Sequence, residues 1–421
     1  MITEVRLKDW KSVGEATVYI DPLTMLIGIN ASGKSNVVEG FALLSRLTEP
    51  ATLTEIVRGG SGDAGIRGGT GYLIQTEART CALTAVIEAT DIQNDEKVGR
   101  FEYEIELSID RGDIVRVAGE RLTYRQLNRN ADAKREKKEF TIYETRGREE
   151  NAPFVRAYVY TGKQGGGRAV DLDAGRSLLS QIRLGSKQYD AKVRGATERV
   201  VEGLSRIQLL DPQPQLMRAQ SLKDEQLAPD ASNIAGYLQM RPEDDRTVLA
   251  AELATLVNHL TATEIVNVDI RAVPPTDTYH VLVFEEILSG RRRIMGAEAI
   301  SDGTLRYLAI VLAVLSLPRG GLLVLEEADD GLHASRTKLL LDFLREQSAA
   351  RGVDILLTTH STALLDFAGP EQLSKTMYVY RDRTSGRTSV RPVDELDRLP
   401  RVLGFGGIGT LSAMGKLEDI L

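Results

Sequence analysis

Short segments rich in apolar and β-branched residues at the start of the chain predict three strands followed by a helix. Residues 2–7, 16–20 and 23–27 each have the composition and length of a strand, and the third run ends directly at Gly28. From about Lys34 the apolar positions recur at helical spacing. The chain therefore begins with strands, a glycine-containing turn and a helix in immediate succession.

Between residues 72 and 160 apolar and polar positions alternate, which is typical of antiparallel strands with one buried face. The clearest examples are residues 82–88, 101–107 and 154–160. The segment 128–139 carries charges of both signs and has no apolar face. We predict an antiparallel β-subdomain whose segment 128–139 is an exposed hairpin tip or a mobile loop.

Helical spacing returns after the glycine-rich segment 162–167. It extends from residue 177 to about 207 and again from residue 242 to about 260. No heptad repeat is sustained, which indicates that no long coiled-coil arm is present. We interpret residues 171–262 as a helical insertion.

The last part of the chain alternates strands and helices. Residues 265–270 and 280–284 read as strands, a helix begins at Ser301, and further strands and helices follow. This alternation predicts a parallel sheet covered by helices, so the expected fold class is α/β with a mixed sheet core. We predict a first lobe with the antiparallel β-subdomain (1–170), the helical insertion (171–262) and a second lobe (263–421).

The composition indicates the class of protein and the compartment in which we expect it. Of the 421 residues, 42% are hydrophobic and 27% are charged, which fits a globular chain rather than a disordered one. The single cysteine, Cys81, excludes an intramolecular disulfide and fits a reducing compartment. The N-terminus has no apolar signal region, and the longest mostly apolar stretch, 308–317, is too short to span a bilayer. We therefore expect a cytoplasmic protein.

The segment 28–35, GINASGKS, matches the phosphate-binding pattern G-x-x-x-x-G-K-[ST]. Its glycines let backbone N–H groups face phosphates, and the following helix adds partial positive charge. Lys34 would reach the β and γ phosphates, and Ser35 could bind Mg²⁺. The predicted ATP-binding residues of this phosphate loop and the next position are Asn30, Ala31, Ser32, Gly33, Lys34, Ser35 and Asn36.

Two acids follow the apolar run 322–325. Open α/β sheets bind ligands at the carboxyl ends of their strands, so Glu326 and Glu327 are expected at such a site. We predict that Glu326 holds Mg²⁺ and that Glu327 accepts a proton from, or orients, the attacking water. The alternative is an ordinary strand followed by solvated acids.

Two further elements can be interpreted either as parts of a nucleotide site or as ordinary structural features. His360 follows the apolar strand 354–359 and could hydrogen-bond the γ phosphate and the water, or it could be a packing histidine. Ser301 opens an apolar helix and is at least a helix cap. Its free N–H groups would form an anion site only if a phosphate reached them.

Taken in order, these four elements resemble the ABC-type ATPases of the SMC, RecF and OLD branch. More closely, they resemble the AAA-labelled bacterial ATPases of that branch found in DNA-repair and phage-defence loci, and the resemblance covers nearly the whole chain. It implies that the signature segment (Ser301, Asp302 and Gly303) acts in trans on ATP held by a partner copy. Two ATP molecules would then lie between the two copies of a head-to-tail homodimer.

The resemblance implies further contacts. The segment 7–12 is similar to the entry strand of the branch, in which a basic residue lies near the nucleotide, so Lys11 is a candidate for ATP contact. The glutamine that senses nucleotide and metal in this branch would be Gln181, with Gln164 as the alternative. The segment 328–334 lacks two prolines and an amide found in relatives, which leaves the geometry of the dimer-facing loop open.

The expected function is an ATP-hydrolysing switch that uses ATP as substrate and Mg²⁺ as cofactor. ATP-dependent dimerisation would be coupled to duplex DNA or to a partner protein, in DNA repair or antiviral defence. The alternative is an assembly scaffold with little turnover that recruits or restrains a separate effector, such as a nuclease or a toxin. About sixty residues follow His360, too few for a nuclease domain, so we expect any nuclease to be a separate chain.

Overall fold

The structure, a computed structural model, describes most of the chain. The described residues are 1–60, 65–90, 97–126, 139–149, 151–160, 167–261, 264–330, 332, 334–396, 399, 407–414 and 416–417. The strands are β1 (Ile2–Trp10), β2 (Val13–Tyr19), β3 (Leu23–Ile27), β4 (Thr80–Thr90), β5 (Lys97–Asp110), β6 (Ile114–Gln126), β7 (Glu139–Thr145), β8 (Phe154–Val159), β9 (Arg168–Asp173), β10 (Ile207–Leu210), β11 (Ile265–Ala272), β12 (His280–Leu288), β13 (Arg291–Gly296), β14 (Leu322–Leu325), β15 (Asp354–Thr359), β16 (Thr376–Arg381) and β17 (Thr388–Pro392). The α-helices are α1 (Lys34–Arg46), α2 (Leu53–Arg58), α3 (Leu178–Leu184), α4 (Ala191–Ser205), α5 (Pro214–Met217), α6 (Ile234–Gln239), α7 (Glu243–Thr261), α8 (Asp302–Ser316), α9 (Ala334–Arg351), α10 (Thr362–Phe367) and α11 (Ile408–Ala413).

Most of the described strands belong to one mixed sheet. Its order is β10, β14, β15, β3, β16, β17, β2, β1, β4, β5, β6, β7, β8, β9. The first five strands in this order run parallel to one another. The last eight strands in this order, which begin with β2 and β1, pair antiparallel among themselves. Strands β11, β12 and β13 form a second, antiparallel sheet. The predicted α/β class, with a mixed core and an antiparallel β-subdomain, is confirmed.

The central strands are mostly apolar and are buried on both faces, because helices cover both sides of the sheet. Every residue of β3, β14 and β15 is buried. Leu323 and Leu325 lie in one hydrophobic core together with residues of α7, α8 and α9. Leu322 and Val324 lie in a second core together with residues of α1 and α4. Alternate residues of β14 thus pack against helices on the two opposite faces of the sheet.

The stretch predicted as continuous helix from residue 177 to about 207 is divided. It contains α3 and α4, and after α4 the residues Ile207–Leu210 form β10, which pairs parallel with β14. A four-residue run such as this one, with three apolar residues and Gln208, cannot be assigned to helix or strand from periodicity alone. Strand β10 therefore belongs to the main sheet although it lies inside the predicted insertion 171–262, and the division into three domains stays a prediction.

Two expectations fall outside the described residues. The predicted hairpin tip 128–139 falls there except for Glu139, which opens β7, and Gln164 lies in the segment 161–166. In the part of the chain that the structure describes, no helix combines the length and apolar character needed to cross a membrane.

Candidate functional site

The order of the parallel strands gathers four chain segments at one edge of the sheet. Strands β3, β15, β14 and β10 run in the same direction, so their carboxyl ends lie side by side. Gly28 follows β3, His360 follows β15, Glu326 follows β14 and Asp211 follows β10. Open parallel sheets place ligand sites at this edge.

The phosphate loop is shaped by contacts that only glycine permits. Gly33 has a φ of 108°, and a Cβ at this position would lie 2.2 Å from Thr388 Oγ1. A Cβ at Gly28 would lie 2.2 Å from the carbonyl oxygen of Val379. The Thr388 hydroxyl donates to the carbonyl oxygen of Ser32 at 2.8 Å, which fixes the loop against β17.

The loop presents donors suited to an anion. Ser32 Oγ is buried and has no hydrogen-bond partner among the described residues, an arrangement that is costly unless a ligand binds it. No side chain in that part of the chain caps α1 at Gly33, so the first N–H groups of this helix are open. The Lys34 ammonium donates to the carbonyl oxygens of Gly28 at 2.6 Å and Ile29 at 3.1 Å. Burial lowers the pKa of Lys34, and nearby Glu327 opposes that shift.

Glu326 and Glu327 lie at the end of β14 as predicted. Glu326 is half-buried, and the Ser35 side chain lies close enough to lower its pKa, so the loop and the acids meet. Burial raises the pKa of Glu326, whereas Arg67 lowers it. Glu327 is exposed with a φ of 46°, a left-handed conformation that is costly for a residue with a side chain. Its N–H donates to Thr358 Oγ1 at 3.0 Å.

The paired side chains of Ser35 and Glu326 fit a magnesium ion. Hydroxyl and carboxylate oxygens are the hard donors that Mg²⁺ prefers, and Mg²⁺ sites in proteins commonly combine one or two carboxylates with substrate phosphates. The Ser35 side chain lies close enough to Glu326 to lower its pKa, so both oxygen donors lie beside the loop. These two residues would hold the ion.

The sequence patterns did not predict two residues of this site. Arg67 Nη2 lies 3.6 Å from Glu326 Oε1, and its Nε donates to Glu39 at 2.7 Å. Asp211 is placed beside the two acids because β10 pairs with β14. Burial raises the pKa of Asp211, Arg306 lowers it and Glu327 raises it. The sequence signals that could have indicated these residues are the two glycines after Arg67 and the mostly apolar residues 207–210 before Asp211.

The other predicted contacts divide between those near the loop and those apart from it. Lys11 donates to Glu39 of α1 and to the carbonyl oxygen of Arg67, so its ammonium lies beside the site but is paired. The Gln181 side chain instead binds the backbone N–H and carbonyl oxygen of Asp173. No hydrogen bond within the described ranges joins Gln181 to the phosphate loop or to Glu326. The structure therefore does not bring Gln181 to this site.

The predicted histidine and signature segment also have defined places. His360 is exposed at the end of β15, between the phosphate-loop strand and the acid strand. Ser301 caps α8 and accepts from the N–H of Thr304 at 3.2 Å. Asp302 accepts from Arg218 at 2.6 Å. Where the structure describes the chain, no hydrogen bond joins the signature segment to the phosphate loop.

A cleft of about 1640 Å³ opens beside the loop, on the side of Lys11 and Asn36. Arg67, Arg381 and the exposed ring of Tyr72 also line it. Among the described residues, none of 28–35, Glu326 or Glu327 lines this cleft, so it adjoins the loop at Asn36 without containing the acids.

Comparisons with known proteins give one family and several structures. The family model described as "AAA domain, putative AbiEii toxin, Type IV TA system" matches residues 23–366. The SMC head domain from Thermotoga maritima has a TM-score of 0.40 and 14% identity, covering 93% of this chain and 98% of its own. An SMC head bound to the C-winged helix domain of ScpA has a TM-score of 0.47 and 13% identity, covering 93% and 97%. An SMC head with an extended coiled coil, bound to the C-terminal domain of ScpA derived from Pyrococcus furiosus, has a TM-score of 0.45 and 14% identity, covering 100% and 99%. No curated protein matches.

Proposed function

The chain belongs to the AAA-domain family whose model matches residues 23–366, and from this premise we propose that it hydrolyses ATP and dimerises head to tail when ATP is bound. Membership in this family confirms the resemblance to AAA-labelled bacterial ATPases. The observation that carries the proposal is that the phosphate loop after β3 and the acids after β14 lie at the same edge of the sheet, with Ser35 close to Glu326. A nucleotide phosphate and the two acids then share one site.

In this proposal each residue of the site has a distinct task. The loop N–H groups and Lys34 bind the phosphates. Ser35 and Glu326 hold Mg²⁺, which when bound offsets the negative charge of the phosphates. Glu327 orients the attacking water or accepts its proton, and His360 hydrogen-bonds the γ phosphate.

The proposed dimer follows from the signature segment. Ser301 and Asp302 are exposed at the start of α8, and their described hydrogen bonds go to Thr304 and Arg218 rather than to the phosphate loop. A second copy could therefore present its own Ser301 to the nucleotide held here. In a head-to-tail pair, both ATP sites would be completed in this way.

The wider role we propose is a switch in DNA repair or antiviral defence, acting in the cytoplasm on duplex DNA or a partner protein. The alternative is an assembly scaffold with little turnover that recruits or restrains a separate nuclease or toxin. The family description itself names a toxin of a type IV toxin–antitoxin system. The strained φ of Glu327 beside Lys34 favours turnover, because such strain in proteins concentrates at functional sites.

A Glu327→Gln variant tests the hydrolytic role. We expect hydrolysis to fall by roughly a hundredfold or more, while ATP binding is kept and ATP-bound dimers accumulate. Glu346→Gln, at an exposed position on α9, is the matched control and should behave as the native chain. Native-rate hydrolysis by Glu327→Gln would show that the base is assigned wrongly. A native chain that dimerises with ATP but does not hydrolyse it would support the scaffold instead.

A further inference from the structure

One buried arginine joins the signature helix to the chain's own nucleotide site. Arg306 lies one turn after the signature segment in α8, and it is the only basic residue of this helix. Its side chain is 10% exposed, and its Nη2 donates to Asp330 Oδ2 at 3.3 Å. The N–H of Asp330 in turn bonds the carbonyl oxygen of Glu327, so Asp330 belongs to the turn that carries the proposed base.

The second terminal nitrogen of Arg306 faces another strand end. Nη1 lies 4.0 Å from Asp211 Oδ1, and it is buried without a hydrogen-bond partner among the described residues. Asp211 directly follows Leu210, whose carbonyl oxygen accepts from the N–H of Glu326 at 2.9 Å. A shift of about 1 Å would turn the Arg306 to Asp211 contact into a hydrogen bond. The guanidinium therefore has a hydrogen-bond donor, Nη1, that is unsatisfied among the described residues and lies near Asp211.

The segment that follows β10 also contacts the start of α8 through a second arginine. Arg218, which follows α5, donates to the carbonyl oxygen of Ile300 at 2.9 Å and to Asp302 at 2.6 Å. Arg218 lies only seven positions after Asp211 in the chain. Movement at the end of β10 would therefore reach the signature segment through Arg306 and through Arg218.

A purely structural role explains this arrangement poorly. Apart from Thr304 and Tyr307, the remaining buried residues of α8 are apolar. Burying a guanidinium among them is costly unless carboxylates compensate, and apolar residues of similar volume are often as stable as a buried ion pair. Arg306 nevertheless contacts two acids that each adjoin the nucleotide site.

We propose that Arg306 is a positioning residue that couples the nucleotide site of its own chain to the placement of its signature segment, through Asp211 and Asp330. The inference rests on the proposed function, in that the signature segment serves a second copy. Nucleotide bound in one chain would then prepare that chain's Ser301 to complete the partner's site. Both sites of a dimer would be coupled without direct contact between the nucleotides.

The test uses the full chain carrying Glu327→Gln, so that Mg-ATP stays bound. Arg306→Met is compared with Arg345→Met, because Arg345 is a half-buried arginine of α9 whose hydrogen bonds go to Ala368 and Gln372. Three quantities are measured: ATP affinity, ATP-induced protection of the 300–310 amides from hydrogen exchange in dilute, monomeric protein, and dimer formation with ATP. Arg306→Met should keep its ATP affinity within about twofold, lose the protection, and dimerise about tenfold more weakly. Arg345→Met should behave like the parent chain in all three.

Several results would overturn the coupling. Protection and dimerisation by Arg306→Met at the parent level would do so. Loss of ATP affinity, or a melting temperature far below that of Arg345→Met, would show a merely structural role. Absence of ATP-induced protection in the parent chain would also refute it. Protection in the parent chain without any dimer would instead leave the coupling in place and refute the proposed dimer.

Discussion

Glu120 offers a sharp prediction about stability, because this carboxyl group is buried between the β-subdomain and α3. It accepts hydrogen bonds from the hydroxyls of Tyr103 and Tyr143, each at 3.1 Å. It also accepts from the N–H groups of Leu178 at 2.7 Å and Leu179 at 2.9 Å, which open α3. Burial raises the pKa of Glu120 from 4.5 to about 7, although all four donors oppose that rise.

The sign of the pH dependence follows from this raised pKa. Between pH 4.5 and about 7 the folded chain holds a proton on Glu120 that the unfolded chain releases. The stability contributed by the neutral carboxyl is therefore complete below pH 4.5 and is lost as the pH rises through 7. The difference between the two pKa values corresponds to roughly 3 kcal/mol.

A Glu120→Gln variant removes this titration. Glutamine cannot ionise, but its NH₂ group would face N–H and O–H donors, at a cost of about 1–3 kcal/mol at every pH. Urea unfolding of both proteins from pH 5 to 8 should show the native chain losing about 2–3 kcal/mol relative to the variant. Glu104→Gln, exposed on β5, is the control and should show no such trend. A difference that is constant with pH, or that grows in favour of the native chain, would refute the reasoning.

Three further results are expected. Gly33→Ala should weaken ATP binding at least about tenfold in calorimetric titration, since the added Cβ meets Thr388 and the φ of 108° disfavours alanine; unchanged affinity would contradict the loop geometry. Arg67→Ala should lower the rate of ATP hydrolysis at least about tenfold, because its guanidinium adjoins Glu326, while Arg58→Ala in α2 should not; equal rates in the two variants would remove Arg67 from the site. Removal of Mg²⁺ with a chelator should abolish hydrolysis and restoring it should recover the rate, and a chelator-resistant rate would contradict the role given to Ser35 and Glu326.

Local patterns were sufficient to predict the parts of the site that are continuous in sequence. The strand 23–27 and the helix beginning at Lys34 occur in the structure with those bounds, because the apolar run and the glycine turn are short-range signals. Glu326 and Glu327 follow β14 for a similar reason. An entirely apolar strand must be buried, and its polar successors then emerge at the sheet edge.

The remaining parts depend on contacts between distant segments. The pairing of β10 with β14 joins residues more than a hundred positions apart, and a four-residue run gives no periodicity by which to recognise it. Asp211 and Arg67 reach the acids only through such pairing and packing. The prediction of Gln181 rests on the resemblance alone, and its side-chain amide instead binds the backbone of Asp173 at the end of β9.

The measurement that tests the central claim most directly is complementation between two inactive variants. Lys34→Ala removes ATP binding from a chain, and Ser301→Arg blocks its signature segment. If each site combines the loop of one copy with the signature of the other, a mixed dimer has one intact site, and an equal mixture should recover about a quarter of the native ATPase rate. A mixture no more active than either variant alone, or a Ser301→Arg chain as active as the native protein, would contradict the shared site.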